Sequence, residues 1–154
     1  MRTSRLLVLA PALALAGCDL TTGDASLAPT EGLTAAEVDC GGITPDLQIY
    51  IVDFAYEPNE AAIAEGAVVR WTNVGMAPHT VTSGMPENDD AGALFDSGDL
   101  GHGDSYCLEF AGRGVASYFC DYHPMTMRDA VIAVSSNPEE DDRGGSFLED
   151  IGLD

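Results

Sequence analysis

The chain reads Tyr118-Phe119-Cys120-Asp121-Tyr122-His123-Pro124-Met125-Thr126-Met127 at the end of a run of strand-forming residues that begins at Val115. It carries a thiol, an imidazole and two thioethers on one short loop. Thiolate, imidazole and thioether groups are all good copper ligands, and the sulfur ligands are soft. The stretch therefore predicts a metal-binding loop at the end of a β-strand, and hence a fold built from strands.

A second imidazole comes from the segment Asn73-Val74-Gly75-Met76-Ala77-Pro78-His79-Thr80-Val81, which also follows a strand pattern. The ligand set would then be His79, Cys120, His123 and one methionine. Two imidazoles, one thiolate and a weak axial thioether are the donors of blue-copper electron-transfer sites. A thioether is a poor partner for zinc, whereas thiolate and imidazole suit both Cu(II) and Cu(I). The residues predict one bound copper ion.

Short runs of strand-forming residues, separated by Gly, Pro, Asn and Asp, occupy the middle of the chain. This spacing predicts an all-β sandwich. No window shows a sustained helical period, and the only plausible helix is a turn near residues 60–65. The predicted strands are 47–54, 67–73, 80–83, 105–110, 115–120 and 131–135.

Five motifs follow one another between residues 47 and 134. They are Asp53-Phe54-Ala55-Tyr56-Glu57-Pro58, Gly66-Ala67-Val68-Val69-Arg70-Trp71-Thr72-Asn73, Pro78-His79-Thr80-Val81, Phe95-Asp96-Ser97-Gly98, and Tyr118-Phe119-Cys120 with His123-Pro124. This ordered set resembles the small blue-copper cupredoxins of the amicyanin, pseudoazurin and halocyanin type. The resemblance implies a Greek-key β-sandwich that holds one type 1 copper ion. It also implies that His79, Cys120 and His123 are the equatorial ligands.

The axial ligand is where the chain departs from the family pattern. Amicyanin-like loops place the methionine three residues after the histidine and pseudoazurin-like loops five, whereas Met125 and Met127 lie two and four residues after His123. The resemblance favours Met127, because aligning it with the following strand reproduces the family's exit from the loop. Met125 would then lie beside His123 on the surface.

The beginning of the chain has the layout of a targeting signal, with two arginines, a short apolar run and Gly17-Cys18. The run is too short to span a membrane. Leu15-Ala16-Gly17-Cys18 resembles the lipobox of bacterial lipoproteins, which implies a signal peptide over residues 1–17 and a lipid on Cys18. An ordinary secretory signal is the alternative. In the first case the protein would be lipid-anchored at the cell envelope, on the periplasmic or another extracytoplasmic face.

Three further segments complete the expected organisation. Residues 18–39 are rich in small and acidic side chains without an apolar period, which predicts a flexible tether. Residues 40–136 would form the cupredoxin domain. Residues 137–154 contain an acidic run and a Gly-Gly pair, which predicts a solvated C-terminal tail.

The four cysteines divide by role. With Cys18 lipidated and Cys120 on the metal, Cys40 and Cys107 remain, and two spare thiols in an oxidising compartment most simply form a disulfide. Strand alternation turns Cys107 to the outer face, where it would hold the N-terminal approach. Two free thiols or additional metal ligands are the alternative.

The chain is strongly acidic, with 26 Asp and Glu against 6 Lys and Arg. A field of this sign repels nucleic-acid phosphates and anionic lipid, so binding to nucleic acid is excluded and contact with a membrane is expected through the lipid alone. A basic redox partner such as a c-type cytochrome is compatible with the charge. Solubility in salty surroundings is the other interpretation.

These observations favour a one-electron carrier between redox partners. Two interpretations stay open for Met76, Met85, Pro124 and Met125, which would either form an apolar collar around the exposed edge of His123 or take part in ordinary loop packing. A periplasmic copper-binding or delivery protein, with methionines that hold Cu(I), is the alternative. An enzyme is disfavoured, because four ligands fill the metal and no second histidine cluster exists. Trp71 is expected in the core, and His102, between two glycines, in an exposed loop.

Overall fold

The computed structural model describes residues 32–136. These residues form a sandwich of two β-sheets, which confirms the predicted all-β class. The strands are β1 (Thr34–Glu37), β2 (Leu47–Val52), β3 (Ala55–Glu57), β4 (Glu60–Ala64), β5 (Val68–Asn73), β6 (Thr82–Ser83), β7 (Ser105–Ala111), β8 (Gly114–Phe119) and β9 (Ala130–Ser135). No helix within 32–136 is long and apolar enough to cross a membrane.

One sheet has five strands in the order β1-β7-β5-β2-β3, and the other has four in the order β4-β9-β8-β6. The β2–β5 and β4–β9 pairs are parallel, and the other pairs are antiparallel. The chain leaves β5 at Asn73 and leaves β8 at Phe119. These exits lie in different sheets, so the loops that follow them can meet across one end of the sandwich.

Trp71 lies at the centre of the core between the sheets. It is fully buried, as expected from its alternation with Arg70 and Thr72 on β5. Four aromatic rings surround the indole with centroid distances of 5.7–6.4 Å, from Phe95, Tyr106, Phe110 and Tyr118. Tilted and edge-on aromatic contacts of this kind bury large apolar areas in defined orientations. The core therefore provides a rigid base for the loops at its ends.

The region expected to form a helical turn, residues 60–65, is a strand instead. β4 pairs in parallel with β9 from Glu60 opposite Val131 to Ala64 opposite Ser135. Its alanines favour a helix by propensity, but Ile63 on β4 is buried against the core. Because β9 offers an unpaired edge here, sheet hydrogen bonding satisfies the backbone of β4 and overrides the propensity.

The predicted tether over residues 18–39 was too long, and the domain begins before residue 40. β1 pairs with β7 from Thr34 opposite Ala111 to Glu37 opposite Leu108. Leu33, just before the strand, is buried. A short edge strand needs little apolar surface of its own, because its backbone bonds to β7 while a single leucine packs into the core. For that reason composition did not reveal it.

The segment after β1 is held to the outer face of the five-stranded sheet. Cys40 and Cys107 form a disulfide, and Arg70 donates hydrogen bonds of 2.7 Å to the carbonyls of Cys40 and Ile43. Arg70 and Cys107 are cross-strand neighbours on β5 and β7, so both fasten the same segment. Cys107 is only 1% exposed although it points outward, since this segment covers it.

Other predictions lie outside the described residues. These are the signal peptide over residues 1–17, the lipid on Cys18, the tether up to residue 31 and the acidic tail over residues 137–154.

Candidate metal centre

His79, Cys120 and His123 converge at one end of the sandwich. Cys120 Sγ lies 3.7 Å from His79 Nδ1 and 3.6 Å from His123 Nδ1, and the three ligand atoms lie within 4.8 Å of one another. His79 and Cys120 are fully buried, whereas His123 is half-buried. The structure thus brings together the three residues that the sequence predicted as equatorial ligands.

The spacing fits a single ion. Taking zinc bonds to the same donors as a guide, about 2.0–2.1 Å to nitrogen and 2.3 Å to sulfur, tetrahedral to trigonal angles place nitrogen and sulfur about 3.6–3.8 Å apart. Both observed distances, 3.6 and 3.7 Å, fall in this interval. The donor set of one thiolate and two imidazoles matches copper in both valence states.

His79 is held by backbone bonds to a neighbouring loop. Its N–H donates to the carbonyl of Leu100 at 3.1 Å, and Leu100 returns an N–H to the carbonyl of His79 at 2.8 Å. The buried side chain of Asn73 donates to the carbonyls of Ala77 and Leu100 and accepts the N–H of Gly75. These bonds fix the backbone of the loop between β5 and His79, and so restrict where the imidazole can lie.

Asp53 fastens the same loop from the turn between β2 and β3. Its Oδ1 accepts the N–H groups of Met76 at 2.9 Å and Ala77 at 3.2 Å, and these two bonds are the main reason that the pKa of Asp53 is lowered. A Cβ on Gly75 would collide with Asp53 Oδ1. Glycine is therefore required at position 75 for this close approach.

The loop from Cys120 to Met127 closes on itself. Cys120 donates its N–H to the carbonyl of Met127 at 2.9 Å, and Met127 donates its own to the carbonyl of His123 at 2.8 Å. Met127 is 2% exposed, whereas Met125 is 81% exposed. Burial beside the cluster favours Met127 as the axial ligand, and Met125 lies at the surface.

The family of copper binding proteins that includes plastocyanin and azurin matches residues 44–134, which is more than half of the chain. The chain belongs to this family. It is a cupredoxin with a type 1 copper site, and the family consists of small electron carriers rather than enzymes. The copper prediction is confirmed by the family and by the cluster of ligand atoms.

Solved cupredoxin structures resemble the present one over the domain. A purple cupredoxin from Nitrosopumilus maritimus is 32% identical, with a TM-score of 0.51 and coverage of 58% of this chain and all of that one. Amicyanin from Paracoccus versutus is 26% identical, with a TM-score of 0.53 and coverage of 67% and 97%. A Cu(I) form of an amicyanin variant is 23% identical, with a TM-score of 0.56 and coverage of 66% of this chain and 99% of that one. At this identity the likeness shows the fold alone. No curated protein matches the sequence.

The electrostatics of this cupredoxin suit metal binding. Burial lowers the pKa of His79, nearby His123 lowers it further, and Asp53 partly opposes the shift. A neutral imidazole offers the lone pair that a metal requires, so a lowered pKa keeps His79 ready to bind at neutral pH.

Phe54 is part of this cupredoxin's site, and sequence reasoning gave it no role. Its ring is edge-on to His123 with centroids 4.9 Å apart and edge-on to His79 at 6.3 Å. Phe54 has a φ of 70° and is 53% exposed. Asp53-Phe54 was visible only as part of a hairpin motif, because a bulky residue at positive φ is rare and leaves no sequence signal.

The prediction for His102 agrees with the structure, and the prediction of an apolar collar agrees in part. His102 lies in an exposed loop, as predicted, where its Nδ1 is 2.8 Å from the carbonyl of Gly75. In the expected collar, Met76 is 77% exposed and Met125 81%, whereas Met85 and Pro124 are half-buried. Phe54, Met76 and Met125 are therefore the most exposed apolar side chains beside the site.

Proposed function

We propose that the protein carries single electrons between redox proteins at the cell envelope. The observation that supports this most directly is the approach of Cys120 Sγ to within 3.7 Å of Nδ1 on both His79 and His123. Bound copper supplies a one-electron change between Cu(II) and Cu(I). The protein then has three tasks, which are to hold the ligand atoms still, to connect them to the surface and to attract a partner.

The segments that carry the ligand atoms are held by hydrogen bonds between protein groups. Asn73, Asp53 and Leu100 fix the loop that carries His79, and the closed turn from Cys120 to Met127 fixes the other loop. Both loops start from strands that pack on the aromatic core. Ligands with one arrangement for both valence states keep the reorganisation small, which favours rapid electron transfer.

His123 is the connection to the surface, because His79 and Cys120 are fully buried. We call the exposed side chains of Phe54, Met76 and Met125 the apolar rim. Exposed apolar clusters next to a functional site are typical of protein docking surfaces. A redox partner that covers the apolar rim would bring its own cofactor close to His123.

The partner should be positively charged. The chain carries a formal net charge of -20, and Asp53, Asp99 and Asp121 are exposed acids near the apolar rim or the ligand loop. Complementary charge raises the rate of encounter more than it raises affinity. A basic c-type cytochrome has the required charge and a cofactor edge that fits a small apolar surface.

Copper delivery is the competing function, and the exposed thioethers of Met76 and Met125 favour it. The burial of two ligands argues the other way. A delivery protein must release its metal to an acceptor, yet His79 and Cys120 are inaccessible and their loops are fastened by backbone hydrogen bonds. Retention through repeated oxidation and reduction is the behaviour that this framework supports.

The envelope location rests on two arguments of different kinds. The lipobox-like Leu15-Ala16-Gly17-Cys18 supports export and a lipid anchor on Cys18. The disulfide between Cys40 and Cys107 supports an oxidising compartment, because such bonds are rare in the cytosol. Labelling with a radioactive fatty acid, compared between the natural chain and Cys18→Ser, tests the anchor.

An absorption spectrum of copper-loaded protein, with and without reductant, tests the electron-carrier function. We expect an intense thiolate-to-copper band that reductant bleaches and reoxidation restores through many cycles. Cys120→Ser should abolish the band, and His102→Gln, which alters a histidine outside the cluster, should retain it. A colourless protein that passes its copper to an acceptor would instead support delivery.

A further inference from the structure

Thr80 donates a hydrogen bond to the ligand sulfur. Its backbone N–H lies 3.4 Å from Cys120 Sγ, and Thr80 is only 4% exposed. In a buried site a hydrogen bond to sulfur carries more electrostatic weight than in water. The exact placement of this one N–H group therefore matters for the electronic properties of the sulfur.

Three residues hold Thr80 from different directions. Tyr56 donates its hydroxyl to the carbonyl of Thr80 at 2.6 Å. Asp121 donates its N–H to Thr80 Oγ1 at 2.9 Å, and Thr82 Oγ1 lies 3.0 Å from the same oxygen. Thr82 Oγ1 also lies 3.4 Å from Asp121 Oδ2. The carbonyl and the side chain of Thr80 are thus both fixed, and its N–H has little freedom to turn away from Cys120.

We propose that Tyr56 and Thr82 are positioning residues that set the reduction potential of the copper site by fixing the Thr80 N–H on Cys120 Sγ. This inference rests on the proposed electron-carrier function. Within the described residues neither side chain hydrogen-bonds a metal ligand: Tyr56 acts through the carbonyl of Thr80, and Thr82 acts through Thr80 Oγ1 and through Asp121, which itself holds that oxygen.

The sign of the effect follows from the charge on sulfur. Reduction adds an electron to the site and makes the sulfur more negative, so a hydrogen bond to it stabilises the reduced state more than the oxidised state. A looser Thr80 N–H should therefore lower the reduction potential. The hydroxyls of Tyr56 and Thr82 are single atoms, which allows each contact to be deleted with little change in shape.

The test compares Tyr56→Phe and Thr82→Val with Tyr118→Phe in the full-length copper protein. Tyr118 is a suitable control because it is a second buried tyrosine, 4.8 Å from Tyr56 between ring centroids, and within the described part of the chain its hydroxyl bonds neither Thr80 nor a metal ligand. Tyr56→Phe and Thr82→Val should each shift the Cu(II)/Cu(I) equilibrium at least threefold towards Cu(II), a fall of about 28 mV at about 59 mV per tenfold. Tyr118→Phe should not.

Thr82→Ser serves as the conservative rescue, because serine retains the hydroxyl. Its potential should stay at the natural value, whereas a purely structural role of Thr82 would make serine and valine alike. A second measurement avoids copper altogether. In metal-free protein, hydrogen exchange of the Thr80 amide should be at least tenfold faster in Tyr56→Phe and Thr82→Val than in Tyr118→Phe.

Two results overturn the proposal. One is an unchanged potential and unchanged Thr80 exchange in either variant while the blue band is retained. The other is an equal shift in Tyr118→Phe, which would show a general effect of core hydroxyls. Failure of the electron-carrier function would look different, because the natural protein itself would then lack a reversible blue band.

Discussion

At the scale of single residues, the site combines one feature that sequence reveals with one that it hides. The ligands are recognisable because thiol, imidazole and thioether groups are few and lie in two short segments. The role of Phe54 could not be predicted, because its contact with His123 depends on a φ of 70° that no sequence pattern indicates. Residue types thus identify the metal ligands, whereas they do not identify the side chains that pack against those ligands.

The choice between two methionines is a prediction at this scale. Met127→Leu should raise the reduction potential by about 59 mV or more, a tenfold change in the one-electron equilibrium, because leucine removes the weak thioether and leaves an apolar group that favours the less charged state. Met125→Leu should leave potential and spectrum unchanged, since Met125 is 81% exposed. Voltammetry of both variants decides the assignment, and a larger shift from Met125→Leu would reverse it.

Phe54 supplies a second prediction. Phe54→Ala should slow electron transfer to a partner about fivefold, the effect of losing about 1 kcal/mol at an aromatic docking residue. Tyr50→Ala is the matched control, because Tyr50 is similarly exposed, at 49% against 53%, but lies on β2, and within the described residues its ring packs on neither imidazole, unlike that of Phe54. Stopped-flow rates with a basic cytochrome provide the measurement. Equal slowing in both variants would show that Phe54 has no specific role in docking.

At the scale of elements, strands with strong apolar alternation were predictable and weak edge strands were not. β5 alternates buried residues with half-buried ones, and β7 turns Tyr106, Leu108 and Phe110 into the core at every second position, so their sequences specify both type and face. β1 and β4 consist mainly of alanine, threonine and glutamate, and they become strands because β7 and β9 offer edges to pair with. Their state is decided by neighbours distant in sequence, which local propensity does not register.

The turn between β2 and β3 carries a prediction on pH. The pKa of Asp53 is lowered by hydrogen bonds from Ala77 and Met76, so the folded pKa lies below the ordinary value of 3.8. The carboxylate therefore contributes stability that is fully present above pH 3.8 and is lost as the pH falls through the folded pKa. Asp53→Asn should lower the melting temperature at pH 6, and the difference from the natural protein should shrink below pH 3.8.

Glu109→Gln is the control for Asp53→Asn, because it removes an exposed acid from β7 instead of from the turn. Melting curves of metal-free protein between pH 6 and about pH 2.5 separate the two cases. A pH-independent difference for Asp53→Asn would mean that the asparagine disturbs the turn by shape and not by charge.

At the scale of the whole molecule, two cross-links join parts of the chain that are far apart. The disulfide joins residues 67 positions apart, and the metal ligands His79 and Cys120 lie 41 positions apart. The first cross-link acts on the sheet face and the second on the loops at one end. They should therefore affect different properties.

Removal of the disulfide should cost stability and leave the copper site intact. The double variant Cys40→Ala with Cys107→Ala should lose about 4 kcal/mol of unfolding free energy, by the chain-entropy relation for a loop of this length. Arg70 still binds the carbonyls of Cys40 and Ile43, so the native fold should persist. Urea unfolding of the metal-free protein measures the loss, and an altered copper spectrum would contradict the separation of roles.

The net charge of -20 gives the last prediction, which concerns encounter with a partner. Attraction between this acidic protein and a basic cytochrome is screened as salt rises, because the Debye length falls from about 30 Å at 0.01 M to about 10 Å at 0.1 M. Electrostatic steering changes association rates by about 10–1000-fold, so the second-order rate of electron transfer should fall at least tenfold over this interval. An acidic cytochrome should show the opposite slope. A rate insensitive to salt with both cytochromes would mean that the charge serves solubility and that docking depends on the apolar rim alone.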